Sequence, residues 1–300
     1  MNLKLKKNNL TYRKLKLSDY NKFKKLFYSS FKKKISYDFF KWRYFSNKSS
    51  FCYGVFSSSE LIANVGMVSI RLNNYLNEKT YTRHSSMVLK GNRGLGIFSD
   101  LLKNLKKKFL SKINLVVMWP NKNNFANFNI DKNKIIKKKY YLYKTYSKNR
   151  SSKKTESYSI SELVKFKNFI KSNNNLFLKN FSYFYRRYLT YHKHEYFINI
   201  YKSRTFKSFF ILKKNKDSTG LNYVILDHFG STEISSKHLS CLIQEKKKLI
   251  FLSKKKIYKS NHKLINFLNL KIGFLKKINV KEKRKFLINK EIFLGDTDSF

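Results

Sequence analysis

The chain is 300 residues long, 42% hydrophobic and 17% aromatic, enough to bury one large core or two smaller ones. Its 66 basic residues against 17 acidic ones give a formal charge of +49. No apolar run reaches the roughly 18 residues of a membrane span, and Met1-Asn2-Leu3-Lys4-Leu5-Lys6-Lys7 lacks the apolar stretch of a secretory leader, so a cytoplasmic, two-domain protein is expected. Only ten basic residues are arginine, and alanine (Ala63, Ala126) and proline (Pro120) are scarce while Lys, Asn, Ile, Phe and Tyr abound. These preferences follow AT-rich codons, so genome drift accounts for much of the lysine excess. Nucleic acid is therefore not expected as a partner, although a strong positive field concentrates polyanions of any kind. Cys52 and Cys241 fall outside any CxxC pair, which suggests neither a disulfide framework nor a zinc site.

Leu10 to Leu17 reads as a first strand, and Ser18-Asp19 as an N-cap before the helical spacing of Tyr20, Phe23, Leu26, Phe27 and Phe31. Ser36 to Tyr44, rich in rings, precedes a hairpin-like pair of β-rich stretches, Phe51 to Ser57 and Leu61 to Asn73. Tyr81 to Leu89 is a further strand, Gly91 to Gly96 a loop, and Ile97 to Leu110 a helix with Ile97, Leu101, Leu102, Leu105 and Phe109 on one face. Ile113 to Trp119, apolar apart from Asn114, reads as a buried strand, ended by Pro120.

The polar stretch Ser147 to Ser157 separates two halves, placing domains at 1–150 and 151–300. The second half opens with a helical Ile160 to Ile170. Ser182 to Tyr188 then echoes Ser36 to Tyr44, with Arg187-Tyr188 set against Arg43-Tyr44. Phe206 to Leu212 and Tyr223 to Asp227 read as strands, Ser236 to Gln244 as a helix and Leu249 to Ser253 as a strand, so the second half is expected to repeat the first.

Gly94 and Gly96, between a strand and an apolar helix, let the backbone turn so that consecutive N–H groups converge, and the helix starting near Ile97 adds its positive end. Arg93 adds a bidentate donor for a phosphate. The order of strand, Arg93-Gly94-Leu95-Gly96-Ile97-Phe98, helix, buried strand and Pro120-Asn121 resembles the core of the GNAT acetyltransferase family over residues 10 to 146. Gly91 to Phe98 is similar to that family's pyrophosphate loop, R/Q-x-x-G-x-G/A, except that Gly91 stands at its first position. The resemblance implies an α/β (α+β) fold, a mixed and mostly antiparallel sheet flanked by helices, with two such units in tandem. It implies acetyl-CoA as cosubstrate, held by backbone groups of Met87, Val88 and Leu89, by the amides of Arg93, Gly94, Leu95, Gly96, Ile97 and Phe98, and by Asn121. The segment Phe267 to Phe274 resembles the close of a second such unit, and the one-glycine stretch His228-Phe229-Gly230-Ser231-Thr232 is not expected to hold the carrier.

The family's tyrosine acid falls on Phe128, which cannot donate a proton, and no carboxylate lies on the strand before the loop. That leaves His84 as the candidate base, set against an ordinary structural role for a lone histidine. His192, His194 and Glu195 form an HxHE string without a third ligand, and no metal is expected. The reading is an acyl-CoA-dependent N-acetyltransferase acting on a small amine, an amino sugar or sugar nucleotide of surface-polysaccharide biosynthesis, in a cleft between the halves. The alternative is a catalytically inactive relative whose basic surface serves RNA or an anionic membrane.

Overall fold

The computed structural model describes residues 9–72, 75–109, 115–118, 135–146, 155–170, 179–190, 195–217, 220–231, 235–246, 248–253 and 262–274. It divides into two compact units, the first made of Met1–Arg71, Asn77–Ile136 and Lys271–Ile278, the second of Leu72–Leu76, Lys137–Leu270 and Asn279–Phe300.

In the first unit β1 (Leu10–Lys14), β2 (Phe51–Ser57), β3 (Glu60–Leu72), β4 (Tyr75–Val88) and β5 (Leu115–Met118) are neighbours in that order. β1, β2 and β3 pair antiparallel, β4 and β5 parallel. The last residues of β12 (His262–Phe274) pair antiparallel with β5, from Lys271 against Met118 to Phe274 against Leu115. β2 is buried on both faces because helices cover both. On one face α3 (Ile97–Phe109) sets Ile97, Leu101 and Leu105 against Tyr53, Val55, Tyr81 and Val116. On the other, α1 (Tyr20–Phe31) and α2 (Tyr37–Tyr44) set Phe23, Leu26, Phe40 and Tyr44 against Cys52, Phe56, Leu61 and Met87.

Two local details depart from the sequence reading. Asp19 does not cap α1 through its side chain. Its carboxylate instead takes Arg13 at 2.7 and 2.9 Å and the Lys16 amide at 2.8 Å, which holds it below the usual carboxylate range, the Arg13 hydrogen bonds first. Ser36 to Tyr44, read only as a ring-rich run, forms α2, whose start is capped by Ser36 accepting from the Phe39 amide.

The second unit orders its strands β6 (Ile135–Tyr146), β11 (Lys248–Ser253), β10 (Gly220–Gly230), β9 (Lys207–Asp217), β8 (Tyr196–Lys202) and β7 (Glu156–Ser159). β10 and β11 are parallel and joined through α5 (Ser235–Glu245), as β4 and β5 are joined through α3; β7 to β10 run antiparallel. The helical stretch expected over Ile160 to Ile170 is a 3-10 helix, Ile160–Phe169, started by Ser159 and Glu162. The stretch echoing α2 is a short helix, α4 (Phe181–Phe184), continued by a π turn over Tyr185–Leu189. Each unit is thus a mostly antiparallel sheet flanked by helices. No helix among the described residues is long and apolar enough to cross a membrane.

Candidate functional site

The geometry of the glycine loop begins in β4. Tyr81 belongs to the core under α3 and Met87 to the core under α1 and α2, although six residues apart on a regular strand share a face. The switch of face occurs at Ser85, whose φ of 44° is rare for a residue with a side chain. Two contacts hold that residue: its hydroxyl lies 2.6 Å from the hydroxyl of the wholly buried Tyr44, and its carbonyl accepts from the buried Asn64 amide at 3.1 Å. Gly66 makes room, since a Cβ there would lie 2.5 Å from a Tyr44 ring carbon. Among the described residues the pairing of β4 with β5 ends at Thr82–Val117, just before this switch.

After β4 the chain makes a 3-10 turn at Lys90–Asn92, then passes through Gly94 (φ 82°) and Gly96 (φ 76°) into α3. Both angles belong to glycine. The Gly96 carbonyl accepts from the Asp100 amide at 3.0 Å, the first bond of the helix. The amides of Ile97, Phe98 and Ser99 therefore point out of the helix end without an intrahelical partner, where the helix dipole favours an anion. A Cβ placed on Gly94 would meet nothing within 4 Å, and Arg93, Gly94, Leu95 and Gly96 are all exposed. Ile97 is buried and pins the helix start to the sheet.

Arg93 donates from Nε to the Val88 carbonyl at 3.1 Å, which fixes its side chain along the end of β4. The Leu89 amide is taken by the Ile62 carbonyl at 2.8 Å and the Leu89 carbonyl by the Asn92 amide at 2.8 Å. Of the three residues expected to offer backbone groups to a carrier, Leu89 is thus already engaged at both its amide and its carbonyl. Arg83, which sequence reasoning passed over as a non-carboxylate, is buried with its guanidinium 5.8 Å from the Phe98 ring, on the first turn of α3; burial lowers its pKa to about 10, so it stays charged at neutral pH. Nothing in the sequence marks it.

His84 is half-buried on β4, with Nε2 2.7 Å from the Thr82 hydroxyl. That hydroxyl donates to the Val68 carbonyl at 3.3 Å, so it accepts from His84, placing the ring proton on Nε2 and the basic lone pair on Nδ1. Asn121 and Phe128 lie outside the described residues, as do Pro120, His192 and His194. Among the described residues no group of three or more His, Cys, Asp or Glu could hold a metal ion.

The corresponding strand of the second unit, β10, carries buried polar side chains that bond to one another. β10 shifts register between Ile225 and Asp227, and Asp227, wholly buried, receives the Lys179 ammonium and the Tyr188 hydroxyl, with the Tyr183 hydroxyl 3.4 Å away. Beside it runs a buried chain of hydrogen bonds. The Ser208 hydroxyl lies 3.0 Å from His228 Nε2 and 3.0 Å from His238 Nδ1; His238 Nε2 lies 2.7 Å from Asn199 Oδ1; Asn199 Nδ2 donates to Thr155 at 2.9 Å, and Thr155 donates to Glu245. Burial first, then Lys179 for His228 and His228 for His238, lowers both histidine pKa values to about 3, so both rings are neutral. Gly230 ends β10 at φ 84°, where a Cβ would lie 2.6 Å from the Lys207 carbonyl oxygen.

No family model matches the chain, and no curated protein matches it in sequence. Solved structures match along most of its length. A GCN5-related N-acetyltransferase from Anabaena variabilis superposes with a TM-score of 0.68 at 8% identity, over 89% of this chain and 73% of that one. A probable N-acyltransferase from Enterococcus faecalis gives 0.66 at 11% identity over the same shares, and Eis1 from Mycobacterium abscessus 0.59 at 9%, again over 89% and 73%. The chain has the GNAT fold. Within that fold the glycine loop stands between β4 and α3 in the first unit.

Proposed function

We propose that this chain is an N-acetyltransferase that moves an acetyl group from acetyl-CoA to an amine. The observation that carries the reading is the open loop at Gly94 and Gly96, with free amides at the start of α3 and empty space where a side chain would stand. The amides from Gly94 to Ser99 and the Arg93 guanidinium bind the pyrophosphate, with buried Arg83 adding positive potential at the first turn of α3. Met87 and Val88, with Leu89 in a packing role and Asn121 beyond β5, bind the pantetheine arm. The carrier supplies an activated thioester. His84 takes the proton of the attacking amine at Nδ1, and the thiolate, whose pKa of about 8.5 makes it a fair leaving group, departs without a tyrosine acid. The acceptor is an anionic amino sugar such as a sugar nucleotide; the +49 charge supports an anionic acceptor by raising its local concentration. Domains at 1–150 and 151–300 remain the proposed working halves, the first holding the carrier, and the cytoplasm the proposed compartment.

Thermal unfolding with acetyl-CoA tests the loop. Gly94→Asn and Gly94→Asp carry similar backbone strain and volume, and the open space accommodates both, so only the charge separates them. Acetyl-CoA is expected to stabilise the wild type and Gly94→Asn and to lose that effect in Gly94→Asp. Equal stabilisation of both variants rejects the loop as the anion site. His84→Ala followed across pH tests the base: unchanged turnover with an unchanged pH profile removes it.

A further inference from the structure

On the other face of the first unit, away from α3, α1 and the β2–β3 turn border an open pocket of about 300 Å³. Lys22, Lys25 and Leu26 of α1 line it, with Ser59 of the turn, Glu60 and Leu61 of β3, and Leu89. Its floor is apolar: Leu26 and Leu61 are 1% and 2% exposed and belong to the core under α1. Its rim is cationic and polar. Lys22 and Lys25, three apart, share a helix face, and Ser59 lies in the turn that Ser58 tightens at φ 53°. Glu60 lies 3.3 Å from the Lys25 ammonium and is half-exposed, so its carboxylate is a solvent-side partner that an incoming anion can replace.

A volume on the order of 300 Å³ is the lower end of small-molecule sites, the size of a mononucleotide rather than of a whole acyl carrier. Two lysines beside a serine, with Leu26 and Leu61 buried beneath, suit one phosphate joined to a small, weakly polar body, with Glu60 able to accept from a sugar diol. The glycine loop's free amides lie at the start of α3, whose core is the opposite face of the sheet. We infer that the first unit carries a second site, distinct from the glycine loop, that binds a nucleoside monophosphate between α1 and the β2–β3 turn. Leu89 lies between the two sites: it lines the pocket, and its carbonyl holds the Asn92 amide at the foot of the glycine loop.

The experiment titrates the full-length chain calorimetrically with adenosine monophosphate, adenosine and inorganic phosphate at about 0.15 M salt, where loose surface attraction is screened. Adenosine monophosphate is expected to bind at least tenfold tighter than either fragment, and equally well in saturating acetyl-CoA. Lys22→Glu/Lys25→Glu is expected to weaken it at least tenfold and Glu60→Gln to tighten it severalfold, with thermal unfolding of each variant as the folding check and Lys22→Gln/Lys25→Gln as the milder pair. Competition by acetyl-CoA places the nucleotide on the glycine loop and overturns the second site. Equal affinity for all three probes, or indifference to both lysine pairs, overturns it too. The site does not depend on acetyl transfer: failure of acetyl-CoA to bind leaves the nucleotide titration as readable as before.

Discussion

Gly94 follows β4 and Gly230 ends β10 at nearly the same backbone angle, φ 82° and 84°, yet a Cβ added at Gly94 would meet nothing within 4 Å while one at Gly230 would lie 2.6 Å from the Lys207 carbonyl oxygen. The difference runs through their surroundings. In the first unit the switch residue of β4, Ser85, meets one tyrosine hydroxyl, and an exposed loop with free amides follows. In the second unit the matching strand has Asp227, which gathers Lys179, Tyr188 and Tyr183, and its neighbour His228 joins a buried chain through Ser208, His238 and Asn199. One architecture carries an exposed glycine loop after its strand, the place proposed above for a phosphate; the other packs the end of its strand with buried polar side chains that hold one another.

The largest effect expected from this contrast is at Asp227. Asp227→Ala strands the Lys179 ammonium, 1% exposed, with no carboxylate, and the loss of a buried partner costs about 3–5 kcal/mol. Urea unfolding followed by tyrosine fluorescence checks it. A cost below about 1 kcal/mol would mean that water reaches this site and that the second unit is not closed as described.

Acid sharpens the same point. His228 and His238 titrate near 6.5 in the unfolded chain and near 3 in the folded one, so below 6.5 the unfolded chain binds more protons. Stability is complete above pH 6.5 and falls as pH drops from there toward 3, by about 1.4 kcal/mol per unit for each ring, or about 4 kcal/mol for both at pH 5. Denaturation midpoints at pH 7 and 5 measure it. A flat profile across that window would show both rings open to solvent.

Alanine scanning at the two glycines compares the vacancies themselves. Gly230→Ala adds overpacking against backbone, about 1–3 kcal/mol, to the roughly 1–2 kcal/mol of a left-handed alanine; Gly94→Ala carries only the second part. Melting temperatures of the two variants should differ in that order. Equal losses would mean that the loop at Gly94 is as tightly packed as the end of β10.

Much of this contrast could be read from residues in order, and its decisive parts could not. α1, α3, β10, α5 and β11 follow from apolar spacing and turn residues, and the glycine loop from Gly94 and Gly96, because local backbone preference decides them. α2 escaped because all eight of its residues are aromatic or charged and its buried set, Phe40, Arg43 and Tyr44, gives no clean stripe. The face switch at Ser85 escaped because serine carries no signal for a positive φ; only Tyr44 and Asn64, 41 and 21 residues away, impose it. Asp227 and His228 read as the polar end of a strand. Their burial depends on Lys179 and His238, partners that only the assembled sheet supplies. The 3-10 helix at Ile160 and the π turn at Tyr185 likewise reflect packing over the sheet rather than propensity.

The smallest expected effects lie at the two tyrosines that hold the switch residues. Tyr188→Phe removes a donor from a buried carboxylate, and hydrogen bonds to charged groups contribute about 1.5–3 kcal/mol. Tyr44→Phe removes a bond between two neutral hydroxyls, Ser85 being half-buried and able to turn to water, which costs about 0.5–1.5 kcal/mol. Because Ser85 precedes the loop by a few residues, Tyr44→Phe carries a second consequence that Tyr188→Phe does not. Relaxing the switch in β4 disturbs the frame on which Met87, Val88 and the glycine loop are set, so acetyl-CoA stabilisation should fall in Tyr44→Phe and remain intact in Tyr188→Phe, despite the larger stability loss of the latter. Thermal unfolding of both variants with and without acetyl-CoA reads the two quantities together. Should Tyr188→Phe lose the acetyl-CoA effect and Tyr44→Phe keep it, the division into an open first unit and a filled second one would have to be reversed.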